Sequence, residues 1–274
     1  MALELNDLLT CINLEVVEEG RLWRGSNLPL DYHRVFGGQI LAQALTALHL
    51  ASPDKQVKSL SVLFPREGDA GKPLEYDVTR HQDGRTFGAS SVVVRQEGKV
   101  VAVGQASMHA PDTGIGWEAQ RPVPAVGAPG DAKPTDLGII PWEVRVVDGV
   151  DLDSHDEGPP ELALWMRAEG APAAPAVNQA LIAHATDLTL IGTALRPVPG
   201  LSHVDSQKAF HSAVTSHSLW FHRPFHLADW LLVAQESPVL TGARAYGRGD
   251  VFTAAGELVA SFAQESMVRP LPQG

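Results

Sequence analysis

The sequence predicts an α+β protein in which one long helix followed by several antiparallel strands occurs twice. Three observations lead there. Apolar residues recur at helical spacing in two stretches, QILAQALTALHLA (39–51) and NQALIAHATDLTLIGTAL (178–195). Each stretch is followed by strand-like runs separated by turn residues. The last runs of the two halves, GKVVAVGQASM and GELVASFAQESM, align with one inserted residue, an internal duplication weak in identity but consistent in order. Strands and helices do not alternate, which disfavours one large α/β fold.

In the first half Gly37 and Gly38 open the helix, and Ile40, Leu41, Ala44, Leu45 and Leu48 mark its buried side. Strands follow at 59–64, 73–81, 85–96 and 99–110, with Asp83-Gly84 and Glu97-Gly98 as hairpin turns. Residues 111–140 are crowded with Pro, Gly and Asp, which punctuate structure rather than extend it. They divide the chain into an N-terminal unit (1–110), a linker (111–140) and a C-terminal unit (141–274). Trp117, and Trp142 just beyond the linker, suggest a connection that packs along the surface. The second helix leads to strands at 215–225, 229–237, 243–253 and 257–269, with Ala255-Gly256 standing where Glu97-Gly98 stood.

The 274 residues are 44% hydrophobic and only 19% charged, enough apolar surface for two ordinary cores. A formal charge of -11 argues against nucleic acid as a partner. Cys11 is the single cysteine, so no intrachain disulfide forms, and a packed thiol is the expected state. Acidic residues near the start do not fit a signal peptide, the end (PLPQG) has no targeting tripeptide or prenylation box, and no apolar run reaches the roughly 20 residues of a bilayer span. The cytoplasm is the expected location.

Seven segments carry a resemblance to a known family. VFGGQILAQAL (35–45), DGRTF (83–87), HATDLTLIGTAL (184–195), HSLWFHRPF (217–225), WLL (230–232), GARAYGRG (242–249) and ELVASFAQESMVR (257–269) resemble the type II acyl-CoA thioesterases, the TesB-like family. The resemblance implies two fused hot-dog domains, each a long helix wrapped by an antiparallel sheet, with the sheets joining into one. It implies hydrolysis of acyl-CoA thioesters to free acid and CoA, with no metal, no cofactor and no covalent intermediate. Family members commonly associate into homo-oligomers, though the chain carries no decisive interface signal. In the family an Asp on the second helix, a Ser/Thr on the next strand and a Gln on the last strand hold the attacking water.

Asp187 and Gln264 stand at the first and third of these positions. A carboxylate among Leu181, Ile182, Leu188, Leu190 and Ile191 is either solvent-facing on an amphipathic helix or buried, with its pKa raised toward that of a general base. An amide at Gln264 orients water without competing for its proton. The Ser/Thr position holds Val214, which cannot hydrogen-bond. On a regular strand Ser212 and Ser216 share its face and Thr215 does not, unless a bulge intervenes. Ser216 is therefore the expected substitute. Gly38, at a helix start where N–H groups are unpaired, is the expected oxyanion donor as well as a packing glycine.

The loss at position 214 keeps a second reading open, a weakly active or non-catalytic acyl-CoA-binding protein. A third, an enoyl-CoA hydratase-like enzyme, would use His184, one helical turn before Asp187. His211, His217, His222 and His226 scatter over both strand faces without a completing ligand set, so packing beside Trp220 and Phe221 is expected rather than metal binding. No GxSxG elbow supports a serine hydrolase. Arg85, Arg244 and Arg248 are candidates for CoA phosphates or simply solvated.

Overall fold

The N-terminal half runs α1 (Leu5–Ile12), β1 (Glu15–Glu18), β2 (Leu22–Gly25), α2 (Gly37–Ala51), β3 (Gln56–Leu63), β4 (Leu74–Asp83), β5 (Phe87–Gln96) and β6 (Lys99–His109). The C-terminal half runs β7 (Lys133–Pro134), β8 (Glu143–Val146), β9 (Glu161–Arg167), α3 (Pro175–Thr186), α4 (Leu190–Leu195), β10 (Phe210–Phe221), β11 (Leu231–Thr241), β12 (Arg244–Thr253) and β13 (Leu258–Pro270). This computed structural model describes residues 3–111 and 118–271. Trp117 lies outside them.

The strands form one 13-stranded sheet in the order β1-β2-β4-β5-β6-β3-β10-β13-β12-β11-β9-β8-β7. Antiparallel pairing of β3 with β10, from Leu63 opposite Ser216 to Ser59 opposite Trp220, joins the two halves. The long strands alternate because one face is buried: along β5 every second residue from Gly88 to Gln96 is inside. Turn chemistry sets the hairpins. Glu97 and Gly98 both take positive φ, 48° and 76°, the twist that a two-residue link between right-twisted strands requires.

α2 is buried almost all round, from Gly38 through Leu48 with Thr46 as the exception. It needs to be apolar on two sides because the sheet covers one and α3 the other. The two helices run antiparallel. Near one end of the pair His49 of α2 meets Gln179 of α3 at 2.8 Å. At the other end Gly38 of α2 lies against the carbonyl of His184.

One expectation changes here. The stretch 178–195 is not one helix: it breaks after Thr186 and resumes at Leu190. Thr189 uses its hydroxyl to donate to Gln235 Oε1 at 3.0 Å, which ties the break to β11. Within the expected linker, residues 118–140 lie along the C-terminal half. Gln120 donates to the carbonyl of Gly256 (2.7 Å), Arg121 pairs with Asp250 (2.9 Å), and Lys133–Pro134 add an edge strand beside β8. Half-buried Trp142 meets the His184 ring edge-on. Cys11 is buried with its thiol pKa pushed up to about 12 by burial, so it packs and does not attack.

Candidate active site

Asp187 caps the C-terminus of α3, at the break before α4, and is only 3% exposed. Opposite it is the first turn of α2, where the N–H groups of Gln39 and Ile40 bond the carbonyl of Phe36 and those of Gly37 and Gly38 precede any acceptor in the helix. The Gly38 N–H, in that turn, favours the ionised form of the Asp187 carboxyl. A Cβ at Gly37 would stand 2.7 Å from Asp187 Oδ2, so glycine is what lets the carboxylate lie on the helix start. Burial pushes the Asp187 pKa up to about 7, outweighing the Gly38 hydrogen bond that lowers it. Its Oδ1 is buried and has no hydrogen-bond partner among the described residues.

β10 and β13 supply the other wall. Their pairing shifts between Val214, opposite Ser266, and Ser216, opposite Glu265, so Thr215 is an extra residue in a bulge. That insertion resets the alternation. Val214 shares the inner face with buried Ser266, and His217 shares it with buried Gln264. Ser216 turns outward, beside Glu265 and the 62%-exposed Leu63, and does not join the site. Thr215 donates to the carbonyl of Glu265 at 2.9 Å and also faces away, while Ser212 bonds Ser206 at 2.8 Å. The hydroxyl expected at Ser216 is thus displaced by one bulged residue.

The residue missed from sequence is His217. It is fully buried, and its ring lies parallel to that of Phe262 with centroids 6.1 Å apart. Nδ1 meets Gln264 Oε1 at 2.9 Å and Nε2 meets Thr186 Oγ1 at 3.2 Å. Asp187 Oδ1 lies 3.7 Å from the same Nδ1, too far for a hydrogen bond. Burial holds the imidazole pKa down to about 4, so His217 is neutral near pH 7 and the contact is not an ion pair. On the far strand Gln264 Nε2 donates to Ser266 Oγ at 2.9 Å. No sequence signal marks His217 as an inner-face residue, since only the bulge places it there.

His184 is not paired with Asp187. Its Nε2 donates to the carbonyl of Ile139 at 2.9 Å, Phe36 packs edge-on against its ring, and burial lowers its pKa to about 4. Gly38 sits against Asp187, where its N–H favours the carboxylate. Arg248 is committed to Glu236 at 2.7 Å, and Arg244 lies 3.9 Å from Glu265. What the inner face assembles is a carboxyl that titrates near neutrality, an amide with one unfilled donor and one unfilled acceptor, and a neutral imidazole that holds the amide.

A cavity of about 520 Å³ opens between the end of the sheet and the α3–α4 break, reaching Leu188 and Thr189, the residues that follow Asp187. Leu137, Val146, Leu152, Leu162, Leu164 and Leu188 supply its apolar wall.

Comparison with known proteins places the whole chain. Family models described as the acyl-CoA thioesterase N-terminal and C-terminal domains match residues 28–109 and 118–268. Acyl-CoA thioesterase 2 of Haemophilus influenzae is 32% identical, over 97% of this chain and 98% of its own length. Human acyl-coenzyme A thioesterase 8 is 30% identical, over 96% of this chain and 89% of its own. Among solved structures, the acyl-CoA thioesterase II TesB2 of Mycobacterium marinum superposes with a TM-score of 0.81 at 32% identity, covering 96% of this chain and 98% of that one. The tesB protein of Mycobacterium avium subs paratuberculosis gives 0.83 at 29% identity, covering 97% and 100%.

Proposed function

Because the chain belongs to the type II acyl-CoA thioesterase family and is built of two fused hot-dog domains, we propose that it hydrolyses acyl-CoA to free acid and CoA through a water activated by Asp187. The observation that carries this reading is the buried, unpartnered Oδ1 of a carboxyl whose pKa lies at about 7. An orphaned buried acceptor is costly unless a proton donor occupies it during function. Such a carboxyl is matched to removing a proton from water near neutral pH.

In the reaction Asp187 takes a proton from the water as its oxygen attacks the thioester carbonyl. Gln264 orients the water through the half of its amide not used by His217 and Ser266. A first-turn N–H of α2 receives the developing oxyanion. The intermediate then collapses with cleavage of the C–S bond, and the CoA sulfur leaves as a thiolate that takes up the proton held by Asp187, restoring the carboxylate. The acyl group lies in the cavity beside Leu188, and residues 111–140 link two units (1–110 and 141–274) that share one sheet through β3 and β10. The exposed Leu63, Val103 and Trp220 on the outer sheet face agree with self-association. We place the enzyme in the cytoplasm; among the described residues no helix is long and apolar enough to cross a membrane.

Thiol release from a panel of acyl-CoAs, followed from about pH 5 to about pH 9, tests the reading. The ionised form of Asp187 is the active one, so kcat/KM rises with pH through a midpoint at about 7 and then levels. A binder without catalysis releases no thiol at any pH. An enoyl-CoA hydratase consumes the double bond and leaves the thioester intact.

Leu137→Trp tests the acyl site separately. The residue lines the cavity from a loop and is only half-buried, so the indole narrows the space without rebuilding the core. We expect kcat/KM for long-chain acyl-CoA to fall about tenfold or more while that for the shortest acyl-CoA changes little, since each excluded methylene is worth about 0.8 kcal/mol. Equal loss for every chain length would place the acyl group elsewhere.

A further inference from the structure

We propose that Ser266 is a positioning residue for Gln264, doing from β13 what the inner face of β10 cannot do with valine at position 214; the inference rests on the thioesterase reading and deepens it. Val214 and Ser266 stand directly opposite each other in the β10–β13 ladder and face the same interior. Val214 presents only methyl groups there. Ser266 is 2% exposed, and its Oγ takes the Nε2 proton of Gln264, itself 2% exposed, at 2.9 Å.

The consequence for the amide is specific. Gln264 has two lone pairs on Oε1 and two protons on Nε2. His217 fills one acceptor site and Ser266 one donor site, so each end of the amide is pinned and each keeps one unfilled valence. A side-chain amide held at one end only can rotate about its last torsion, which is broad and roughly two-fold. Held at both ends it presents a fixed donor and a fixed acceptor, which a water-orienting group needs. The neighbouring hydroxyls of β10 are spent elsewhere: Thr215 on the carbonyl of Glu265 and Ser212 on Ser206. Ser216 faces outward.

The test is steady-state thiol release from acyl-CoA by the native enzyme, Ser266→Ala, Ser266→Thr, the double variant Ser266→Ala/Val214→Thr and Gln264→Ala, with a thermal melt of each. Loss of one buried orienting hydrogen bond is expected to lower kcat of Ser266→Ala about tenfold with KM within about twofold. Ser266→Thr keeps the hydroxyl and most of the rate. The double variant, with a hydroxyl placed directly across the ladder, recovers part of what Ser266→Ala loses. A purely structural serine would move the melting temperature without this kcat-against-KM split and without rescue, and that pattern overturns the proposal. Native kcat in Ser266→Ala beside an inactive Gln264→Ala also overturns it, while the thioesterase reading stands. No thiol release by the native enzyme from any acyl-CoA removes both.

Discussion

Asp187→Asn abolishes thiol release, with a loss of about a thousandfold, inside the range that a positioned general base contributes. Asparagine keeps the size of the side chain and an oxygen for the Gly38 N–H, so the α2 start and the α3 end stay in contact. What disappears is the group that takes the proton. The same substitution has a stability signature of definite sign. Burial raises the Asp187 pKa from 3.8 to about 7, so the native state keeps a proton that the unfolded chain has lost. The stability associated with that proton is fully present below about pH 4 and is lost as pH rises through about 7. At about pH 8 the native enzyme carries a buried carboxylate whose Oδ1 has no hydrogen-bond partner among the described residues, and the asparagine variant does not. The inactive variant therefore melts higher than the native enzyme at about pH 8, and the gap closes toward about pH 4. A variant that retains native thiol release would remove Asp187 from the mechanism.

Gly38→Val carries the second large effect, and it acts on the fold before the chemistry. A Cβ at residue 38 would stand 2.3 Å from the backbone carbonyl oxygen of His184 and 2.5 Å from Cε1 of Phe36. Neither is the tip of a flexible side chain, so α2 and α3 have to separate. Overpacking of this kind costs about 3 kcal/mol or more. That lowers the melting temperature by roughly 10 °C for a chain of this size. Separation also withdraws the Gly38 N–H from Asp187, so residual folded protein is expected to lose thiol release as well. Gly130→Ala is the control, because nothing lies within 4 Å of a Cβ built there and its φ is not positive. A Gly38→Val protein melting like Gly130→Ala would mean that the helices do not meet as described.

The long elements were readable because their pattern is strong. α2 and strands β3 to β6 and β10 to β13 have runs of valine, leucine and alanine at a clear period, closed by turns such as Glu97-Gly98. The strands β1, β2 and β8, of 4 residues, and β7, of 2, are too short to show alternation, and what makes them strands is a neighbour already in the sheet. The candidate site was legible only through the family resemblance. Residue type and period alone leave Asp187 and Gln264 open to ordinary polar roles, and the segments HATDLTLIGTAL and AQESM single them out. The helix break at Leu188 and Thr189 has no glycine or proline to announce it, because a hydrogen bond from Thr189 to β11 makes it. Ser216 was misplaced, and His217 overlooked, through a single extra residue at Thr215. A one-residue shift exchanges the two faces of a strand, and no composition rule registers it.

Fusing a duplicated unit into one chain releases it from symmetry. The antiparallel pair α2 and α3 has two related ends, and in a dimer of identical units both would have to keep the same residues. Here each end answers to its own mutations. One end joins a glycine helix start to Asp187. The other holds His49 against Gln179, whose amide also donates to the carbonyl of Val57 at 3.0 Å, and it has become a closed structural joint. The price of two identical pockets is thereby avoided, and a change that tightens the His49 end has no obligatory echo at the Asp187 end.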